Sequence, residues 1–178
     1  MLSIGIDIGG TKILGAIVDD SGKVVTEKRV SSPANDPDLM VNEVASLIQE
    51  LFLQIGSEHV PVGVAAAGFI DADQSNVLYA PNLSWRDEPL RKRLEEKIQR
   101  SLVIENDANA AGWAEYRFGA GKGSKDMVML TLGTGVGGAV ISDGAIRRGG
   151  FGIAGELGHI RVVRDGKQCG CGRTGCVE

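Results

Sequence analysis

The chain has 178 residues, 43% apolar and 24% charged, with 19 basic against 23 acidic side chains and a formal net charge of −4. This is ordinary globular composition with material for one full core, and the lack of any basic run excludes the clustered Lys/Arg face of a nucleic-acid-binding surface. Met1 leads straight into Leu-Ser-Ile-Gly-Ile-Asp, without a basic leader or an apolar run of membrane-spanning length, so the sequence reads as a cytoplasmic protein with no targeting segment and no membrane partner.

Residues 2–8 alternate and are rich in isoleucine, Gly9-Gly10-Thr11 interrupts them, 13–18 resumes the pattern, and Asp19-Asp20-Ser21-Gly22 turns into 24–30. Three antiparallel strands are predicted. In the first turn, Asp7-Ile-Gly9-Gly10-Thr11-Lys12, the glycines let backbone N–H groups approach phosphate oxygens, and the acid is placed to act on a magnesium ion through water. A plain glycine hairpin with Asp7 as a turn residue explains the same letters. Asp36-Pro37 then opens a helix with Met40, Val44, Leu47, Ile48, Leu51 and Ile55 on one face.

Residues 60–66 form a fourth strand, and Gly68 ends it where a crossover to a helix is expected. Tyr79-Ala80-Pro81-Asn82-Leu83-Ser84-Trp85 reads as a loop whose proline fixes the backbone and whose asparagine offers donor and acceptor. Leu90, Leu94 and Ile98 mark a second helix, solvated on its Arg91, Lys92, Glu95 and Glu96 side. Residues 101–105 make a short strand and 108–118 an alanine-rich helix, so Asn106 and Asp107 stand where a strand ends and a helix begins, the place where open α/β sheets bind ligands. A helix-capping role for Asp107 fits that position equally well.

After Gly119–Gly123, a strand over Met127–Leu132 runs into Gly133-Thr134-Gly135-Val136-Gly137-Gly138 and then a strand over 139–142. The Gly-x-Gly-x-x-Gly spacing is not a dinucleotide fingerprint, because that motif must open a helix. Gly121-Lys122-Gly123 is not a P-loop either, since no Ser or Thr follows the lysine. What remains is a second strand–glycine turn–strand unit like the first. The last 24 residues hold Gly155-Glu156-Leu157-Gly158-His159 and all three cysteines, Cys169, Cys171 and Cys176, interleaved with glycines. Three thiolates and one imidazole have the stoichiometry of a closed structural zinc site, and an odd cysteine count argues against a disulfide framework.

Gly155-Glu156-x-Gly158-His159 and Cys169-Gly-Cys171-Gly-x-x-Gly-Cys176-x-Glu178 resemble the signature of the ROK family of bacterial sugar kinases and sugar-responsive repressors, and within it the ATP-dependent glucokinases. The resemblance implies an α/β actin-like ATPase (ribonuclease H-like) fold of two domains, here 1–107 as the small N-terminal domain and 108–178 as the incomplete start of a larger one bearing the zinc loop. It implies Zn²⁺ on His159, Cys169, Cys171 and Cys176. Hexose contacts are implied for Gly68, Asn82, Asn106, Asp107, Glu156, His159 and Glu178, because Pro81-Asn82-Leu83-x-Trp85 and Glu105-Asn106-Asp107-Ala-Asn109 match family sugar-site segments. ATP with Mg²⁺ is implied on Asp7, Gly9, Gly10, Thr11 and Lys12 from one hairpin and on Gly133, Thr134, Gly135 and Gly137 from the other.

The implied reaction is transfer of the ATP γ-phosphoryl group to the 6-hydroxyl of glucose, with Asp107 as general base, by a protein that is a homo-oligomer when complete. Alternatives within the resemblance are another hexose or an N-acetylhexosamine as acceptor, polyphosphate as donor, or a sugar-sensing repressor without its DNA-binding domain. A repressor would carry a helix-turn-helix ahead of the first strand, whereas this chain opens on that strand. Read as an N-terminal part, the 178 residues are expected to be inactive alone.

Overall fold

The computed structural model describes residues 1–57, 59–133 and 135–178. They divide into two compact units, Met1–Asp107 and Ala108–Glu178.

The first unit is built on a five-stranded sheet. Strands β1 (Leu2–Ile8), β2 (Lys12–Asp19) and β3 (Val24–Ser31) form an antiparallel meander. On its other side β1 pairs in parallel with β4 (Val62–Ala66), which pairs in parallel with β8 (Val103–Asn106), giving the order β3-β2-β1-β4-β8. Alternation along β1 buries Ile4, Ile6 and Ile8, all at 3% exposure or less. Helix α1 (Pro37–Ile55) is started by Asp36, whose carboxylate accepts the Leu39 N–H at 2.9 Å, and is stopped by Gly56 at φ 71°. Its buried stripe includes Met40, Val44, Leu47, Ile48 and Leu51. That stripe meets β2 so closely that a Cβ on Gly15 would lie 2.9 Å from the Leu47 and Leu51 side chains, so the strand carries a glycine where the helix comes nearest.

Between β4 and the next helix the chain departs from the expected direct crossover. Strands β5 (Phe69–Ile70), β6 (Val77–Tyr79) and β7 (Arg86–Glu88) form a separate three-stranded antiparallel sheet before α2 (Leu90–Ile98). With only two or three residues each, these strands are too short for a period-2 pattern to show. What holds them is tertiary: Ile70, Val77, Ala80, Leu83 and Trp85 belong to the same buried cluster as β1 and α1.

The second unit contains α3 (whose range is Asp107–Phe118, starting on the boundary residue), a three-stranded antiparallel sheet of β9 (Met127–Leu132), β10 (Val136–Ser142) and β11 (Ala145–Ile146), and a single 3₁₀ turn, Leu157–His159. Strand β10 starts at Val136, three residues earlier than the glycines suggest. Gly138 is in the strand through its pairing with Leu130, and it is glycine because a Cβ there would lie 2.8 Å from the Gly155 carbonyl, leaving no room for a side chain. Among the described residues of this unit, only Ala139 and Ile141 join the fully buried apolar residues, while Val128, Leu130 and Leu132 on one face of β9 are 64%, 53% and 82% exposed. Among the described residues no helix is long and apolar enough to cross a membrane.

Candidate functional site

Each unit holds some of the residues that the sequence singles out, on a glycine turn and on the loops beside it. In the first unit the β1–β2 turn is closed by the Gly9 N–H donating to the Lys12 carbonyl at 3.0 Å. Its outer corner abuts the Pro-Asn loop: a Cβ on Gly10 would sit 3.1 Å from the Asn82 carbonyl oxygen and 3.2 Å from the Asn82 Cβ. The turn expected to meet phosphate and the loop expected to meet sugar are therefore neighbours. Asp7, near the end of β1, has a carboxyl raised above the ordinary 3.8 by desolvation among surrounding protein atoms, with the Lys12 ammonium acting the other way. Solvent still reaches it. A carboxylate in that position gains from a nearby cation, which is the property a magnesium site needs.

Asn82 sits at the corner of a four-residue turn, with the Leu83 N–H donating to the Ala80 carbonyl at 3.3 Å and Pro81 in the position that favours proline. Ala80 before it and Leu83 and Trp85 after it are 0%, 4% and 1% exposed and anchor the turn in the core, leaving Asn82 outside. Asn106 ends β8, and its side-chain Nδ2 donates to the Gly68 carbonyl at 3.1 Å and to Asp107 Oδ1 at 3.1 Å. Gly68 is required there, since a Cβ would come 2.7 Å from the Tyr79 carbonyl. The structure thus brings Gly68, Asn106 and Asp107 together, with Asp107 solvent-exposed as the first residue of α3.

In the second unit Gly133 and Gly135 form the β9–β10 turn, closed by the Gly133 N–H donating to the Gly135 carbonyl at 3.0 Å. Gly137 lies inside β10, against Thr131 and Ala108. Thr134 falls outside the described residues. The 3₁₀ turn packs on β10 through Gly158, where any Cβ would overlap the Val136 carbonyl.

His159, Cys169, Cys171 and Cys176 converge, each offering one ligand atom and all four atoms lying within 4.8 Å of one another. Their spacing suits zinc. Bonds of about 2.3 Å to sulfur and about 2.0–2.1 Å to nitrogen give tetrahedral edges of about 3.8 Å between sulfurs and about 3.6 Å between sulfur and nitrogen. Cys171 and Cys176 Sγ are 3.8 Å apart, and Cys169 Sγ is 3.5 Å from His159 Nδ1. The loop is shaped by the Cys169 N–H donating to the Arg173 carbonyl at 2.8 Å and the Gly175 N–H donating to the Lys167 carbonyl at 2.8 Å. The Arg173 backbone N–H holds the Cys171 thiol below its ordinary value. Desolvation by packing, followed by the neighbouring sulfurs, pushes Cys176 up to about 11. Crowded thiols of this kind resist ionising together unless a cation is placed between them. With Nδ1 turned to the sulfurs, the other ring nitrogen of His159 lies 3.9 Å from a Glu156 carboxylate oxygen, so one imidazole can serve the metal and the polar site at once.

Two features escape sequence reasoning. Glu178, read as a sugar contact, accepts the Val136 N–H at 3.0 Å and lies 3.8 Å from Cys169 Sγ, joining the cysteine loop to the glycine hairpin. Arg86 directs its guanidinium onto the Ala80 and Leu83 carbonyls of the Asn82 turn and onto the Trp85 carbonyl just beyond it. No spacing signals either, because both contacts depend on loop geometry.

The chain matches the family model described as ROK family over residues 3–178. It is 47% identical over 177 residues to the glucokinase of Streptomyces coelicolor, covering 99% of this chain and 55% of that protein. It is 32% identical to the xylose repressor of Bacillus subtilis, covering 99% of this chain and 46% of the repressor. Among solved structures, a ROK family glucokinase from Streptomyces griseus in complex with glucose and AMPPNP superimposes with a TM-score of 0.87 at 46% identity, over 99% of this chain and 55% of that one. The chain spans about half the length of the curated relatives it matches. From these matches and the elements described above, the chain belongs to the ROK family and has the α/β architecture of the actin-like ATPase fold.

Proposed function

We propose that this chain forms the hexose-binding and phosphate-gripping part of a glucokinase, which moves the γ-phosphoryl group of ATP to the 6-hydroxyl of glucose. The observation that carries the reading is the β8–α3 junction, where Asn106 is tied to the Gly68 carbonyl and donates to the Asp107 carboxylate. A carboxylate fixed in direction at an exposed strand end can orient a sugar hydroxyl and take its proton as the phosphoryl group leaves. The glucokinase relatives support a sugar kinase.

In this reading Asp107 is the general base. Asn82, Asn106 and Gly68 in the first unit, and Glu156, His159 and Glu178 in the second, take sugar hydroxyls. Gly9, Gly10, Thr11 and Lys12, and separately Gly133, Thr134, Gly135 and Gly137, hold phosphate oxygens through backbone N–H groups and the lysine charge. Asp7 is the residue for Mg²⁺, whose chemistry when bound is neutralisation of charge on the phosphates. The Cys/His cluster holds a structural Zn²⁺, which cross-links the loop carrying Glu178. Orienting the sugar is the larger part of catalysis in such a transfer, so a metal remote from ATP matters through the placement of His159 and Glu178.

The xylose repressor similarity favours a second reading, in which the same sugar-binding half serves a regulator. A panel of hexoses and N-acetylhexosamines, offered with ATP and with polyphosphate to the complete gene product, separates the two. The proposal expects ATP-dependent glucose 6-phosphate formation, and sugar binding without phosphorylation of any member would support the regulator.

A further inference from the structure

The Asn82 turn has a feature that its own sequence does not explain. The Ala80 and Leu83 carbonyls of the turn and the Trp85 carbonyl two residues beyond it all accept from one nitrogen, Arg86 Nη1, at 3.2, 3.4 and 2.5 Å. Three carbonyl dipoles aimed at one point repel one another unless a cation stands between them. Nη1 has only two hydrogens, so at least one is shared, and its charge does the rest. The guanidinium is held in place from the other side by the Tyr79 ring, 4.1 Å from its carbon to the ring centroid. Tyr79 in turn lies against Phe69, with ring centroids 6.1 Å apart.

Ala80 and Leu83 are the first and fourth residues of the turn whose third residue is Asn82. Other tethers among the described residues are the Ala80 N–H donating to the Trp85 carbonyl at 3.4 Å, the Ser84 N–H donating to the Ala34 carbonyl at 2.9 Å, and the buried Ala80, Leu83 and Trp85 side chains. They hold the ends of the turn, while Pro81 and Asn82 at its corner stand exposed. Outside, a Cβ on Gly10 would sit 3.1 Å from the Asn82 carbonyl oxygen, so a corner that tilts shifts Asn82 against the β1–β2 glycine turn.

We propose that Arg86 is a positioning residue for hexose recognition: by gathering the three carbonyls it sets where Asn82 presents its amide, without touching sugar itself. This rests on the reading of Asn82 as a hydroxyl ligand. Lysine is not equivalent, since a point ammonium on a flexible stem neither stacks flat on Tyr79 nor spans the carbonyls as a fixed fork.

The test is a set of variants in the complete gene product, with KM for glucose and ATP, kcat and melting temperature read for each. Arg86→Ala raises KM for glucose on the order of tenfold, the loss of about one charge-assisted hydrogen bond, with Arg86→Lys in between. KM for ATP and the melting temperature stay close to wild type. In an Asn82→Ala background, which itself raises KM for glucose, Arg86→Ala adds less than about twofold, because the amide it positions is gone. In the 178-residue chain the Leu83 amide exchanges faster with Arg86→Lys, a readout independent of activity. An additive effect in the Asn82→Ala background, equal losses for both substrates, or Asn82→Ala impaired while Arg86→Ala and Arg86→Lys are silent, overturns the role of Arg86 alone. Unchanged KM for glucose in Asn82→Ala overturns the sugar reading of the loop.

Discussion

The carboxylate of Glu178 accepts the backbone N–H of Val136 at 3.0 Å, so the residue two positions beyond Cys176 is hydrogen-bonded to the glycine hairpin forty-two residues before it. Backbone contacts reinforce the link, with the Glu178 N–H donating to the Gly158 carbonyl at 3.0 Å and the Val177 N–H to the Ile160 carbonyl at 3.0 Å. Order in the cysteine loop is therefore order in the β9–β10 turn.

Zinc removal should loosen the hairpin as well as the loop. We expect one zinc per chain by elemental analysis, with chelation or Cys171→Ser speeding amide exchange at Val136 and throughout 155–178, since binding energy in such sites is folding energy on the order of 10 kcal/mol. Protein purified under reducing conditions with no zinc, or chelation that leaves Val136 unaffected, contradicts this.

Two glycines in adjacent strands should respond with opposite signs. Gly15 faces Leu47 and Leu51 with no space for a Cβ, whereas nothing lies within 4 Å of a Cβ on Gly5. Gly15→Val should cost about 1–3 kcal/mol through overpacking, while Gly5→Ala should be neutral or stabilise by up to about 1 kcal/mol because alanine loses less backbone entropy than glycine. Urea melts of the two variants decide the matter, and equal destabilisation would show that α1 does not seat on β2 as described.

Asp71 gives a pH dependence. Packing disfavours its ionised form, but the Ser75 and Asn76 backbone N–H groups, at 2.7 and 3.1 Å, and the Asn76 side-chain amide outweigh that and hold its carboxyl below the ordinary 3.8. A depressed folded value means that the carboxylate contributes stability above 3.8, and that this is lost as pH falls through the lower folded value. Asp71→Ala should be less stable than wild type by about 1 kcal/mol near neutrality, the figure kept small for a largely solvated group. The difference should shrink below pH 3.8. A gap that stays constant between pH 7 and pH 3 would assign the loss to packing.

Much of the first unit was legible because its elements are long: the alternation of β1, the Asp36-Pro37 start of α1 and the 3.6-residue stripe behind it all survive in the structure. The small sheet β5–β7 was not, since its strands are held by burial of Val77, Leu83 and Trp85 and carry no period of their own. Composition located the cysteine cluster, and the structure adds which ring nitrogen of His159 faces the sulfurs. Roles such as those of Arg86 and Glu178 lie in contacts between loops, where one sequence offers no pattern.

The two units should differ in local stability. The buried apolar cluster lies wholly in residues of the first unit, whereas β9 exposes Val128, Leu130 and Leu132. Amides of β9 and β10 should therefore exchange faster than those of β1 and β4 in the 178-residue chain. Equal protection in both sheets would contradict this.

The central claim is that Asp107 takes the proton from a hexose hydroxyl during phosphoryl transfer, and it is met most directly by ³¹P NMR of ATP and glucose with the complete gene product and its Asp107→Asn variant. The account predicts glucose 6-phosphate from the wild type and a rate lower by about 10²–10⁴-fold or more in the variant, which still binds glucose because asparagine keeps the shape of the side chain. Turnover by Asp107→Asn near the wild-type rate would contradict it and leave Asp107 as a residue that starts α3.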